Sequence, residues 1–203
     1  VTLYQHRVLP HLINFAMKHR EIAQLRAAHV SDAQGVVVEV GIGSGLNLPY
    51  YSHKVTRVHG FDPSVELLAM AREKAAAAQF PVDLRNQDAS RIPMGEGSAD
   101  TLVMTWTLCS IVDPSAALRE MRRVLKPGGT FIFVEHGLSP DGEVRKWQNR
   151  LTPLWRRLGG GCHLNRKIDD LVRDAGFDIL SLRTEYLPGP RALTFMYEGR
   201  ATR

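Results

Sequence analysis

Three glycines at alternate positions, Gly41, Gly43 and Gly45, follow an acidic residue, Glu39, in the segment VVVEVGIGSG from Val36 to Gly45. The β-branched apolar run reads as a buried strand. Glycines placed directly behind it remove side chains where the backbone must turn and lie close to a ligand. The spacing is E-x-G-x-G-x-G, which differs from the G-x-G-x-x-G of dinucleotide sites. Glu39 points to a ligand with positive charge or hydrogen-bond donors at that end. Two further acids follow, Asp62 in GFDPS and Asp88 in NQDAS. An acid about twenty residues beyond the glycines suits both hydroxyls of a ribose. Asp88 suits the amino group of an adenine.

These residues need a scaffold that brings them to one edge. The chain from Val36 alternates between strand-like and helix-like segments. Val36–Val40, Val58–Phe61, Val82–Arg85, Thr101–Trp106 and Thr130–Val134 read as strands. Leu46–Tyr51 reads as a helical turn, Ser64 as the cap of a helix running to Ala78, and Pro114–Leu125 as a helix stopped by Lys126-Pro127-Gly128-Gly129. Such alternation implies crossover connections and a mostly parallel sheet. Asp141–Trp155 looks helical, and Asn165 caps a helix that Gly176 ends. Ile179–Tyr186 and Ala192–Tyr197 read as an antiparallel hairpin. The expected fold is therefore α/β: a Rossmann-like, doubly wound, mostly parallel seven-stranded sheet with an antiparallel C-terminal hairpin. Helical sequence runs from Val1 to about Ala28, interrupted at Pro10. It forms an N-terminal lid over residues 1–34, ahead of a ligand-binding core over 35–136 and acceptor-side elements over 137–203. All three belong to one domain.

In an open parallel sheet, ligands bind beyond the carboxyl ends of the strands. Glu39 to Gly45, Asp62, Asp88 and Thr105 to Ser110 all fall there. Bulk properties narrow the classes. The chain is 44% apolar and 23% charged, ordinary for a globular protein. No apolar run is long enough for a membrane span, roughly 18 residues. Charges and histidines throughout the first twenty or so residues exclude a signal peptide there. Two distant cysteines make neither a disulfide framework nor a metal spacing, which favours a reducing, cytoplasmic setting. The net charge of +5 is spread along the chain, with no basic stripe interleaved with aromatics, so nucleic acid is not an expected partner.

The set EVGIGSG, GFDPS, NQDAS, SADTLVMTWTLCSI and LKPGG resembles the class I S-adenosylmethionine-dependent methyltransferases, from about Gly35 to Val134. The resemblance implies S-adenosyl-L-methionine as cofactor and S-adenosyl-L-homocysteine as product. Gly41 and Gly43 would lie under the cofactor, and Gly45 would allow tight packing. Glu39 would either support the glycine loop or receive the cofactor's ammonium. Asp62 would bind the ribose, Asp88 with the backbone of Ala89 would read the adenine, and Thr105 would contact the methionine portion through its carbonyl. Asp100 reads as a turn residue.

TLCSI, VEHG, WQNRLTPLW and GGGCHLNR, with a late Gly-Pro, are similar to a narrower group of small thiol S-methyltransferases and phospholipid- or ubiquinone-type methyltransferases. That similarity implies a small, partly apolar acceptor, most simply a thiol, with a lipid-like amine or carbon acceptor as the alternative. Some members of that group are membrane-associated. Here a basic, amphipathic N-terminus offers peripheral contact. The sulfonium methyl is already activated, so in-line positioning of the nucleophile provides most of the catalysis. A thiol attacks as thiolate and gains from a nearby base. His136 and His163 are the candidate catalytic bases, each with a structural alternative. Cys109 and Cys162 read as small packing residues. Trp147 and Trp155 read as helix-packing aromatics or as walls of an apolar acceptor pocket. Tyr4 and His11 belong to the lid or to a surface contact. No metal is expected.

Overall fold

The structure, a computed structural model, describes residues 3–203. Seven strands form one sheet in the order β3-β2-β1-β4-β5-β7-β6. They are β1 (Gly35–Val40), β2 (Val55–Asp62), β3 (Val82–Asn86), β4 (Ala99–Thr105), β5 (Leu125–His136), β6 (Asp178–Tyr186) and β7 (Phe195–Thr202). The first five pair in parallel, and β7 runs antiparallel to both β5 and β6. This is the expected Rossmann-like sheet with an antiparallel C-terminal hairpin. Its centre is buried on both faces, and Val37, Val38, Leu102, Val103, Ile132 and Phe133 are fully covered. That explains why the strands read as continuous apolar runs rather than alternating ones.

The helices cover the two faces. They are α1 (Leu9–Ala16), α2 (Arg20–Val30), α3 (Val65–Ala76), α4 (Pro114–Val124), α5 (Gly142–Leu158) and α6 (Ile168–Asp174). Ser64 caps α3 by accepting the Leu67 N–H, and Asp113 caps α4 by accepting the Ala116 N–H. Several details depart from the sequence reading. Asn165 does not cap α6, which starts at Ile168 with Lys167 at the cap position, but donates instead to Asn149 (2.9 Å). Pro10 lies in the first turn of α1, where no N–H is needed, behind a π-helical turn at Tyr4–Val8. The N-terminal break falls instead between Met17 and His19, where His19 is extended (ψ 146°). Val1 and Thr2 lie outside the described residues. The Lys126–Gly129 stop is absorbed into β5, because Leu125 pairs with Ala99 as soon as α4 ends. The last strand starts at Phe195, since Arg191–Leu193 form a 3-10 turn after Pro190.

Asp100 does more than turn the chain. Its carboxylate accepts the Val36 N–H (2.8 Å) and the Lys126 ammonium (2.6 Å), tying β4 to β1 and β5. The α5 stripe also differs from expectation. Trp147, Leu151, Leu154 and Leu158 are exposed, whereas Val144, Gln148 and Thr152 face inward. Gln148 is buried because it serves backbone: it accepts the Ser139 N–H and donates to the Gly137 carbonyl.

Candidate active site

The strand order reverses between β1 and β4, the switch point at which open α/β sheets bind ligands. A cavity of about 360 Å³ opens there, within the range of ligand sites, roughly 300–1,000 Å³. The loops after β1, β2, β3 and β4 form one wall, and α1 with the Gly159–Gly160 turn forms the other.

The glycine loop is held by backbone. Gly41 (φ 71°) donates its N–H to the Phe61 carbonyl, and a Cβ there would sit 2.1 Å from Thr107 Oγ1. Gly43 (φ 56°) faces open space, so ligand atoms can reach its backbone. Gly45 does not line the cavity and packs against Leu48 and Ala71 of α3.

Asp62 joins the loop to β2. One carboxylate oxygen accepts the Gly43 N–H (2.9 Å) and the other the Ser64 N–H (2.8 Å). A carboxylate has about four acceptor positions, so two remain for a ligand's hydroxyls. Burial pushes its pKa up, against the pull of those two N–H donors. Asp88 is exposed on the cavity rim, where it accepts the Ser90 N–H (2.8 Å) and so shapes the turn carrying Ala89. The Thr105 carbonyl accepts the Thr107 hydroxyl (3.0 Å) and keeps a second lone pair.

Glu39 is placed beneath the loop, not in the cavity. It is 1% exposed, and its two oxygens accept from Asn47 Nδ2 (2.8 Å) and the Tyr51 hydroxyl (2.7 Å). Asn47 Nδ2 also donates to Thr105 Oγ1 (3.1 Å), and Asn47 Oδ1 accepts from the Arg26 guanidinium. Burial pushes Glu39 up to about 7 and Arg26 down to about 10, each opposed by the other's charge. These bonds tie Glu39 to the segment that follows the glycine loop, at Asn47 and Tyr51.

Arg26 was not singled out in the sequence, yet it lines the cavity from α2. Its guanidinium lies 4.7 Å from the centroid of the Trp106 ring, and its Nε has no partner. A lone Arg in an ordinary amphipathic helix carries no signal of this. Trp106 is the one non-glycine residue with positive φ (50°) among the described residues. That conformation is strained for a bulky side chain, and strain of this kind gathers at functional sites.

The histidines lie elsewhere. Neither His136 nor His163 lines the cavity. His163 packs its Nδ1 at 3.1 Å from the Cys109 carbonyl, and burial with nearby Arg166 pushes its pKa down. His136, buried at the end of β5, faces Cys162 Sγ through Nδ1 at 3.9 Å. Cys109 completes that group. Its thiol is pushed up by the neighbouring Cys162 sulfur and by burial, while the Cys162 thiol is pulled down by the neighbouring Cys109. The neighbouring carboxylate of Glu135, fully buried, accepts the Thr107 N–H (2.9 Å) and so holds the turn that carries Cys109.

The sheet and its switch-point cavity define a Rossmann-like α/β protein that binds a nucleoside-sized ligand. The family pattern described as a methyltransferase domain matches residues 38–133. The thiol S-methyltransferase TMT1B of Rattus norvegicus is 31% identical over 177 residues, covering 85% of this chain and 72% of that protein. A phosphatidylethanolamine N-methyltransferase of Cereibacter sphaeroides is 34% identical over 165 residues, covering 80% and 79%. The structure of geranyl diphosphate C-methyltransferase from Streptomyces coelicolor A3(2), solved with S-adenosyl-L-homocysteine, shares the fold with a TM-score of 0.70 at 16% identity, covering 92% and 83%. The chain belongs to the class I S-adenosylmethionine-dependent methyltransferases, and it is an enzyme whose cofactor is S-adenosylmethionine. No helix among the described residues is long and apolar enough to cross a membrane.

Proposed function

We propose that the enzyme methylates a small, partly apolar acceptor, with a thiol as the leading class. The observation that carries this reading is the division of the cavity. Polar groups, Asp62, Ser64, Gln87 and Asp88, line it beyond β2 and β3, whereas Leu9, Pro10 and Ile13 of α1 and Ile111 and Val112 after β4 supply apolar lining. The polar end suits a ribose and an adenine, held by Asp62, Asp88 and the backbone at Gly41, Gly43 and Ala89. Arg26, a cation with an unpartnered Nε, suits the carboxylate of the methionine portion beside Thr105. The apolar end is left for the acceptor. The cofactor supplies an activated methyl group. The chain's task is to align the acceptor's nucleophile with it and to keep water out.

The thiol class draws support from the resemblance to thiol S-methyltransferases over most of the chain. The test is a scan of small aliphatic and aromatic thiols with the cofactor, reading methyl thioethers by mass spectrometry. Turnover with apolar thiols and none with hydroxyl analogues is expected. Turnover confined to lipid amine headgroups would replace the reading with the second one.

That second reading is a lipid-like acceptor. Leu12 and Phe15 of α1 and Trp147 and Leu154 of α5 are all more than half exposed, and α5 also carries Arg145, Lys146, Arg150, Arg156 and Arg157. Apolar and basic residues together suit an anionic lipid surface. Sedimentation with anionic vesicles separates the two readings.

A further inference from the structure

Three motifs outside the cofactor loops come together in space: TLCSI after β4, VEHG at the end of β5 and GGGCHLNR after α5. Each brings one metal-ligating side chain, Cys109, His136 and Cys162, and their ligand atoms all lie within 4.8 Å of one another. The geometry points to a Cys2His site for a single thiophilic divalent cation, of which zinc is the best match in chemistry. Neither cysteine is in a disulfide.

Four observations carry this. Ligand atoms about 2.0–2.3 Å from a tetrahedral zinc lie roughly 3.5–3.8 Å apart, so the observed spacing closes on a metal by about an ångström or less. Two thiolates and one imidazole form a donor set that selects zinc over the oxygen-loving cations. His136 is 7% exposed and turns its Nδ1 to the Cys162 sulfur at 3.9 Å, so the imidazole already points into the cysteine pair. The supports are also in place. Glu135 fixes the turn carrying Cys109 through the Thr107 N–H, and Arg166 fixes it through the Leu108 carbonyl. The His163 N–H donates to the Cys109 carbonyl (2.8 Å), which joins the second cysteine's loop to the first.

The position gives the site a use. Ser110 and Gly160, one and two residues from the cysteines, line the cavity near its α1 wall. Three protein ligands leave a fourth position open, as in catalytic rather than structural zinc sites. A thiol taking that position loses its proton to solvent and is held as a thiolate, the form that attacks a methyl group. This last step rests on the thiol reading above; metal binding does not.

The test uses the full chain purified without chelators. Elemental analysis should find one zinc per chain. Cobalt substitution should give a thiolate-to-cobalt charge-transfer band and the intense visible bands of a tetrahedral site. Cys162→Ser and His136→Gln should each lower metal affinity by about 10–100-fold or more, while S-adenosylhomocysteine binding and the circular dichroism spectrum stay unchanged. Cys109→Ser is a third variant if it folds. A wild-type protein with no zinc and no cobalt band overturns the proposal. So does a band that survives in both variants, or a Cys109–Cys162 disulfide that forms in air in a chain that takes up no metal. Zinc bound without thiol turnover would sink the acceptor reading and leave the site standing. Thiol turnover by a protein that binds no metal would do the reverse.

Discussion

The cofactor end of the cavity and the cysteine corner beside it are built by different means. At the cofactor end, the glycine loop, Asp62, Asp88 and Thr105 sit at or just beyond the ends of their own strands, and they are linked by short bonds such as Asp62 to the Gly43 N–H. In the corner, Cys109, His136 and Cys162 come from three segments distant in sequence and meet because β5 lies beside β4 and the loop after α5 bonds back to the Cys109 carbonyl. The first arrangement is a property of strand ends. The second is a property of the whole sheet order. A single substitution at the cofactor end should therefore damage binding of the nucleoside, and one at the cysteine corner should spare it.

The largest expected effect is at Asp62. Asp62→Ala removes two ligand-facing acceptor positions and the anchor of Gly43, and hydrogen bonds to charged groups contribute about 1.5–3 kcal/mol each. Calorimetry should show S-adenosylhomocysteine affinity reduced on the order of 100-fold or more. An unchanged affinity would remove Asp62 from the ribose and break the cofactor half of the comparison. Gly41→Ala comes next. Its Cβ would meet Thr107 at 2.1 Å in a left-handed backbone, so the melting temperature should drop by an amount equivalent to about 2–4 kcal/mol.

For the corner, His136→Ala and His163→Ala should lower kcat on the order of tenfold or more while cofactor affinity stays within about twofold. If both leave kcat intact, methyl transfer here depends on positioning alone.

A finer effect belongs to Glu39, which is joined to Thr105 through Asn47. Its folded pKa of about 7 is raised above the ordinary 4.5 by burial. The folded state thus holds the proton more tightly than the unfolded one. The stability this contributes is complete below about pH 4.5 and is lost as pH rises through about 7. The melting temperature of the wild type should fall across that window, and that of Glu39→Gln should fall less. Equal slopes would mean that the carboxylate is ionised throughout. The smallest effect is expected at the N-terminal segment. The Tyr4 hydroxyl donates to the Leu158 carbonyl (2.9 Å), so Tyr4→Phe should cost about 1 kcal/mol or less and act mainly on acceptor KM.

Legibility followed the same division. β1 was readable because Val36–Val40 is apolar and β-branched, and the glycines behind it because a close turn needs them. Asp62 and Asp88 were readable because strand ends in a parallel sheet share one edge. Arg26 was not, since its burial depends on α2 packing beside Asn47 and Trp106. The buried face of α5 was not legible either, because Gln148 satisfies the Gly137 and Ser139 backbone, which turns a polar residue inward and leaves Trp147 outside. Cys109 and Cys162 read as packing residues because sequence spacing says nothing of segments joined across a sheet.

By itself the sequence determined the strands, the sheet class and the methyl donor. Those features rest on local periodicity and on residues next to each strand. Only the tertiary structure decided where Glu39 points, which cation lines the cavity, and that two cysteines and a histidine share one corner. Those follow from strand order and helix packing, which arise from burial summed over the whole chain and which no short stretch of residues encodes.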